Sequence, residues 1–214
     1  GRQGLYFQYR HNAPLSRRID PGTTNIIDIY LVTQSYYIAY QNYVTDSTGT
    51  VKEPAKPTID ELTTSYSTLD QYKMISDNII LNSATFKPLF GTKAAVELRA
   101  TLKCVKNPSS TASVSEIKSQ VVSSMNTYFT IDNWDFGDTF FFSELSAYLH
   151  DQLGSIISTV VLVPVDPLKS FGDLYEIRSQ ANEIFVNSAT VNDVEVIDAL
   201  TSSQLRTASN SGVV

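Results

Sequence analysis

The chain has 214 residues, 42% of them apolar and 18% charged, with a formal net charge of −6. A chain this long can bury roughly 70% of its unfolded surface, in one large domain or two small ones. Its acidic balance argues against a nucleic-acid partner, because phosphate contacts need clustered Lys and Arg and Arg17-Arg18 is the one adjacent basic pair; no run approaches the ~20 apolar residues of a membrane span.

The single cysteine, Cys104, cannot form an intrachain disulfide, which points to assembly in a reducing compartment such as the cytoplasm. No basic stretch leads into an apolar one as in a signal peptide. The surface is poor in charge and rich in Tyr, Thr and Ser. That composition leans toward protein contacts, since charged groups are depleted from interface cores and aromatics are enriched there.

The chain opens GRQGLYFQYR, without Met. Leu5, Phe7 and Tyr9 alternate with Tyr6, Gln8 and Arg10 as along a strand, which reads as native sequence, and the missing Met points to a piece of a longer polypeptide. Residues 11–25 are a polar connector with turn signals at Asp20-Pro21-Gly22. Ile26 to Val32 is a β-rich run of strand length. In the segment from Ser35 to Val44, Tyr36, Tyr40 and Val44 recur at helical spacing. Gly and Pro make a loop of Thr45 to Pro57. Thr58 and Glu61 then stand at the capping-box offset of a second helix, and Ile79 to Leu81 reads as a short strand.

Val96 to Cys104 shows a period of two. Val96, Leu98, Ala100, Leu102 and Cys104 face one way, and Glu97, Arg99, Thr101 and Lys103 the other, the pattern of a half-buried antiparallel strand. Ser113 and Glu116 form another capping box. The helix behind it is expected to bury Val114, Ile117, Val121, Met125 and Tyr128 and to end near Phe129. NWDFGD (Asn133 to Asp138) is the connector that follows. Phe140 and Phe142 extend briefly on one side. Ser143 is placed to cap a further helix, with Glu144 in its first turn and Leu145, Leu149 and Leu153 facing inward. Ile156 to Val163 is a β-branched strand stopped by Pro164. The last third reads as short strands with turns at Gly172-Asp173 and Asn192-Asp193, and residues 201–214 have almost no apolar anchors and are expected to be mobile.

The order is β-α-α-β, repeated, followed by short strands. It predicts an α+β fold: two successive β-α-α-β lobes with small mixed or antiparallel sheets covered by helices, plus a C-terminal short-strand region. The expected segments are an N-terminal strand and connector (1–25), a first lobe (26–82), a second lobe (83–165), and short strands with a mobile tail (166–214).

Chemical motifs are weak. Asp135-Phe136-Gly137 matches the magnesium-holding tripeptide of kinases, but no glycine-rich loop, strand lysine or HRD-type loop precedes it. Read as a calcium loop with Gly137 at position 6, it puts Trp134 at position 3 and Ser143 at position 12, and the ligand set collapses. His11 and His150 are the only histidines. No nucleophile elbow accompanies them, and His150 reads as a favourable contact near a helix C-terminus. One Cys and two distant His supply no metal spacing. The expectation is therefore no catalytic residue, no metal site and no cofactor. Trp134 and Phe136 either lid the core between two helices or form an interface knob. Tyr36, Tyr40 and Tyr43 pack in the core, contact another subunit or stack on a sugar. Arg17 and Arg18 are solvated or form an interchain ion pair, a role that suits Arg. These seven residues are the candidate interface.

The run SEIKSQVVSSMNTYFTIDNWDFGDTFFFSELSAYLHDQLGSIISTVVLVP resembles the signature segment of the baseplate-J family of contractile phage tails. The features shared are a helix ending in Tyr128-Phe129, a connector with Gly137, an aromatic step at Phe140 to Phe142, Ser143-Glu144-Leu145, a helix, and a strand at Thr159 to Val163. SRRIDPGTTNIIDIYLVT (Ser16 to Thr33) and DQYKMISDNI (Asp70 to Ile79) look like the C-terminal part of T-even-type baseplate wedge proteins. The resemblance covers most of residues 5–200. It implies a structural subunit of the virion, assembled in the host cytoplasm. Such subunits pair as homodimers, join other baseplate wedge proteins and sheath-proximal tail proteins, and build an inner ring that rearranges on sheath contraction. The motifs are structural and imply no active site. The rival expectations are a receptor- or carbohydrate-binding tail domain, which needs exposed aromatics beside polar groups in a cleft, and a tail-associated hydrolase, which needs converging carboxylates.

Overall fold

A computed structural model describes residues 26–67, 78–166, 171–172 and 174–197. The expected N-terminal strand and connector, the segment 68–77 and the tail 201–214 lie outside the described residues, and so do Arg17 and Arg18. The fold is α+β, with four α-helices and nine strands among the described residues, gathered in small open sheets of mixed direction. The chain divides into two compact units, Gly1–Tyr37 with Ala55–Ala84, and Ile38–Pro54 with Thr85–Val214.

In the first unit, β1 (Ile26–Leu31) pairs in parallel with β2 (Asn78–Ser83), from Ile26 opposite Asn78 to Leu31 opposite Ser83. The Ala84 amide donates to the Leu31 carbonyl at 2.9 Å and extends the ladder. The crossover between the two strands contains α2 (Ile59–Ser65), which packs on β2. Its capping box forms as expected. Glu61 N donates to Thr58 Oγ1 at 3.3 Å, and Thr58 N donates to Glu61 Oε2 at 2.8 Å. The Thr58 amide, and then the Thr58 hydroxyl donating to the same oxygen at 3.1 Å, favour the ionised carboxylate and hold the Glu61 carboxyl below its ordinary pKa. Leu62 is the buried anchor of the helix, and the Tyr66 hydroxyl donates to the Val32 carbonyl just past β1.

Helix α1 spans Gln34–Thr45. Its first turn is capped by Thr33, whose Oγ1 accepts from Tyr36 N at 3.3 Å. Tyr36, Tyr40 and Val44 are all buried, as their i, i+4, i+8 spacing predicts.

In the second unit, β4 (Ala100–Lys106) is the centre of a three-stranded sheet ordered β6-β4-β9. It runs antiparallel to β6 (Ile157–Pro164) and parallel to β9 (Val194–Ile197). β3 (Thr85–Leu89) pairs in parallel with β8 (Glu183–Asn187), and β5 (Thr139–Phe141) antiparallel with β7 (Glu176–Arg178). The C-terminal short strands are therefore partners of earlier strands, one for each of β3, β4 and β5. Helices α3 (Val114–Tyr128) and α4 (Phe142–Leu153) pack on each other, α3 also meeting β9 and α4 meeting β6. Ile117, Val121 and Met125 of α3 and Leu145, Leu149 and Leu153 of α4 are buried in their expected places.

Several expectations need correction. The alternating run from Val96 is not one strand. Val96–Leu98 is a 3-10 turn with Val96 exposed, and β4 starts only at Ala100. Lys103, assigned to the wet face, is buried, with Val161 of β6 and Glu195 of β9 as its cross-strand neighbours. Its Nζ lies 3.1 Å from Glu195 Oε2 on β9, as a buried ammonium requires. Val114 is exposed in the first turn of α3 and Tyr128 is half-buried. Phe142 opens α4 instead of continuing β5, and the N-cap position belongs to Phe141, not Ser143. The Phe142 amide is taken up by the Tyr175 carbonyl at 3.2 Å, so a neighbouring loop does the work expected of a serine.

The bend after β3 is tightly determined. Phe90 has a left-handed φ of 77° and sits fully buried among Phe129, Phe140 and Phe171. Its amide donates to the Leu98 carbonyl at 2.9 Å, and its own carbonyl accepts from Ala100 N at 3.1 Å. A Cβ on Gly91 would stand 1.9 Å from the Ser188 carbonyl oxygen. Only glycine lets β3 and the chain after β8 approach this closely.

Candidate functional site

NWDFGD closes α3. The last carbonyls of a helix have no partner within it, and here the connector supplies donors. Trp134 Nε1 donates to the Tyr128 carbonyl at 3.0 Å, and Asn133 Nδ2 donates to the Thr127 carbonyl at 3.0 Å and to that of Tyr128 at 3.3 Å. The Trp134 indole stacks on Phe129 at 5.4 Å with an interplanar angle of 7° and meets Phe185 edge-on at 5.1 Å. One side chain thus joins the end of α3 to β8 and terminates the helix. The next residues form a turn. Gly137 takes a left-handed φ of 74°, Asp138 Oδ2 accepts from Asp135 N at 2.7 Å, and the Asp138 carbonyl accepts from the amide and hydroxyl of Ser179 at 3.0 and 2.8 Å.

The candidate interface residues separate. Tyr36, Tyr40 and Trp134 are in the interior, with 5%, 5% and 7% of their surface exposed. Tyr40 packs on the Phe86 ring at 4.6 Å. Tyr43 is half-buried beneath Lys93, whose Nζ lies 4.4 Å from its ring centre. Phe136 is half-buried in the connector turn. Aromatic residues at helical spacing suit a core and an interface equally well, and spacing alone could not separate the two. Tyr128 closes the cluster. Burial, and then the nearby Glu144 carboxylate, push its phenol up to about 12.

The exposed aromatics are elsewhere. A groove of about 580 Å³ lies beside α4 and the start of β6, with Phe141, Phe142, His150, Thr159, Leu174 and Tyr175 among its lining residues. Leu174 is 98% exposed, and Tyr175 and Phe141 are 42% and 38% exposed. Leu174 and Tyr175 both hold left-handed backbone, with φ of 55° and 60°, a conformation that costs of order 1 kcal/mol or more for residues with a side chain. Sequence reasoning missed this feature. Its one signal was an apolar pair placed directly after the Gly172-Asp173 turn.

The groove carries one histidine and several hydroxyls. Among the described residues no three His, Cys, Asp or Glu side chains gather as metal ligands do, and no helix is long and apolar enough to cross a membrane. Comparison with known protein families and with curated proteins finds no match to this chain.

Proposed function

We propose that this chain is a structural module of a contractile-tail baseplate, a wedge subunit that associates with its own copies and with neighbouring wedge and sheath-proximal proteins in the inner ring of the virion. The observation that carries this reading is how the residues of the baseplate-J-like segment are used. Its apolar residues are used largely as scaffold. Tyr128-Phe129 ends α3 and receives the indole of Trp134. Gly137 makes the left-handed turn. Phe140 is fully buried at the centre of the aromatic cluster, Leu145 is buried on α4, which packs on β6, and β6 pairs edge to edge with β4. Residues that serve catalysis converge with their polar groups on one cavity. Here Phe129, Phe140 and Leu145 converge on a core, while Phe141, Phe142, Ser143 and Thr159 line the open groove.

The activity under this reading is mechanical. Rigid subunits hold one another through complementary surfaces and pivot at those contacts. The burial of Tyr36, Tyr40 and Trp134 moves the contact away from them to side chains that reach solvent. It also removes those three rings from any sugar-stacking role. Light scattering of the purified chain across a range of concentrations tests the proposal. Growth in mass to a defined dimer or larger ring supports it, since a lasting contact buries ~2,000 Å² or more. A strict monomer at the highest concentration overturns it.

A further inference from the structure

We draw no further inference here: the strongest candidate, the open groove beside α4 and the start of β6 where Leu174 and Tyr175 reach solvent, is an apolar surface patch, and nothing in the structure shows what covers it.

Discussion

Replacing Trp134 distinguishes a core anchor from an interface knob by a number. The indole is 7% exposed, so nearly all of its area is withdrawn from water. An aromatic of this size buries ~200 Å², which at ~25 cal/mol per Å² corresponds to ~5 kcal/mol. Measured Phe or Trp to Ala substitutions in cores cost about 3–5 kcal/mol. Trp134→Ala is therefore expected to destabilise the protein by about 3–5 kcal/mol, a fall in Tm of roughly 6–20 °C at about 2–4 °C per kcal/mol for a domain of this size. Trp134→Phe keeps part of the stack on Phe129 but withdraws the indole N–H from the Tyr128 carbonyl. Asn133 still donates to that oxygen at 3.3 Å, so the expected loss is smaller, about 1–2 kcal/mol. The assay is urea unfolding followed by far-UV circular dichroism, because Trp134 is the only tryptophan and its fluorescence disappears with the substitution. If Trp134→Ala left the urea midpoint unchanged while lowering the mass in solution, Trp134 would be an interface residue and the account of its burial would be refuted.

Other outcomes follow from single sites. Thr48 and Val51 hydrogen bonds hold the Asp46 carboxyl down at about 2, against an ordinary 3.8. A lowered folded value means its contribution is present above the unfolded pKa and lost as pH falls toward 2. NMR titration of Asp46 should show a midpoint near 2, with the Thr48 and Val51 amides shifting together, and an ordinary carboxylate midpoint would contradict the loop geometry. Cys104 is buried on β4, and burial pushes its thiol up to about 12. A thiol reagent at neutral pH should label it only as fast as the native state opens, and prompt stoichiometric labelling of folded protein would show the sheet to be looser than described. Leu174→Ser alters a side chain that is 98% exposed, so stability should stay within about 0.5 kcal/mol. A larger loss would place Leu174 against something in the folded chain, and loss of self-association without unfolding would put the groove in the assembly contact.

What the sequence made legible was mostly local. Thr58 with Glu61, and Ser113 ahead of Val114, mark helix starts because a cap is a matter of a few adjacent residues. Leu145, Leu149 and Leu153 mark an inward face because helical geometry alone brings them together. Pairing partners were not legible. Nothing in residues 183–197 shows that β8 joins β3 or that β9 runs beside β4, and the second of these pairings sets Glu195 opposite the buried Lys103. The run from Val96 misled for a related reason. Alternation over Val96, Leu98 and Ala100 is satisfied by a strand, but the Phe90 bridge to Arg99 turns the chain first. At the candidate site, the type and spacing of the aromatics identified a cluster. Only the fold could show that Tyr40 and Trp134 point inward while Leu174 and Tyr175 point out.

The dense mixture of acids and aromatics in NWDFGD is explained by a division of labour that bears on the proposed role. Trp134 goes inside and fixes the end of α3 to β8. The acids stay in the turn, where Asp138 holds the Asp135 amide and, through its carbonyl, the residue after β7. The end of α3 and two strand pairs, β3 with β8 and β5 with β7, are thereby tied by stacked rings and paired backbone groups. Close packing of this kind resists small deformations and moves between discrete arrangements rather than continuously. A subunit that relays a change of ring diameter has to carry force from one neighbour to the next without absorbing it internally. Under the proposed role, the aromatic knot of Phe129, Trp134, Phe140 and Phe185 would supply that stiffness. The same reasoning sets the functional cost of loosening it: Trp134→Phe, still folded, is expected to assemble but to transmit less, which would appear as rings that form at normal mass yet lose their uniform diameter in electron micrographs. Uniform rings from that variant would show that the knot serves folding alone.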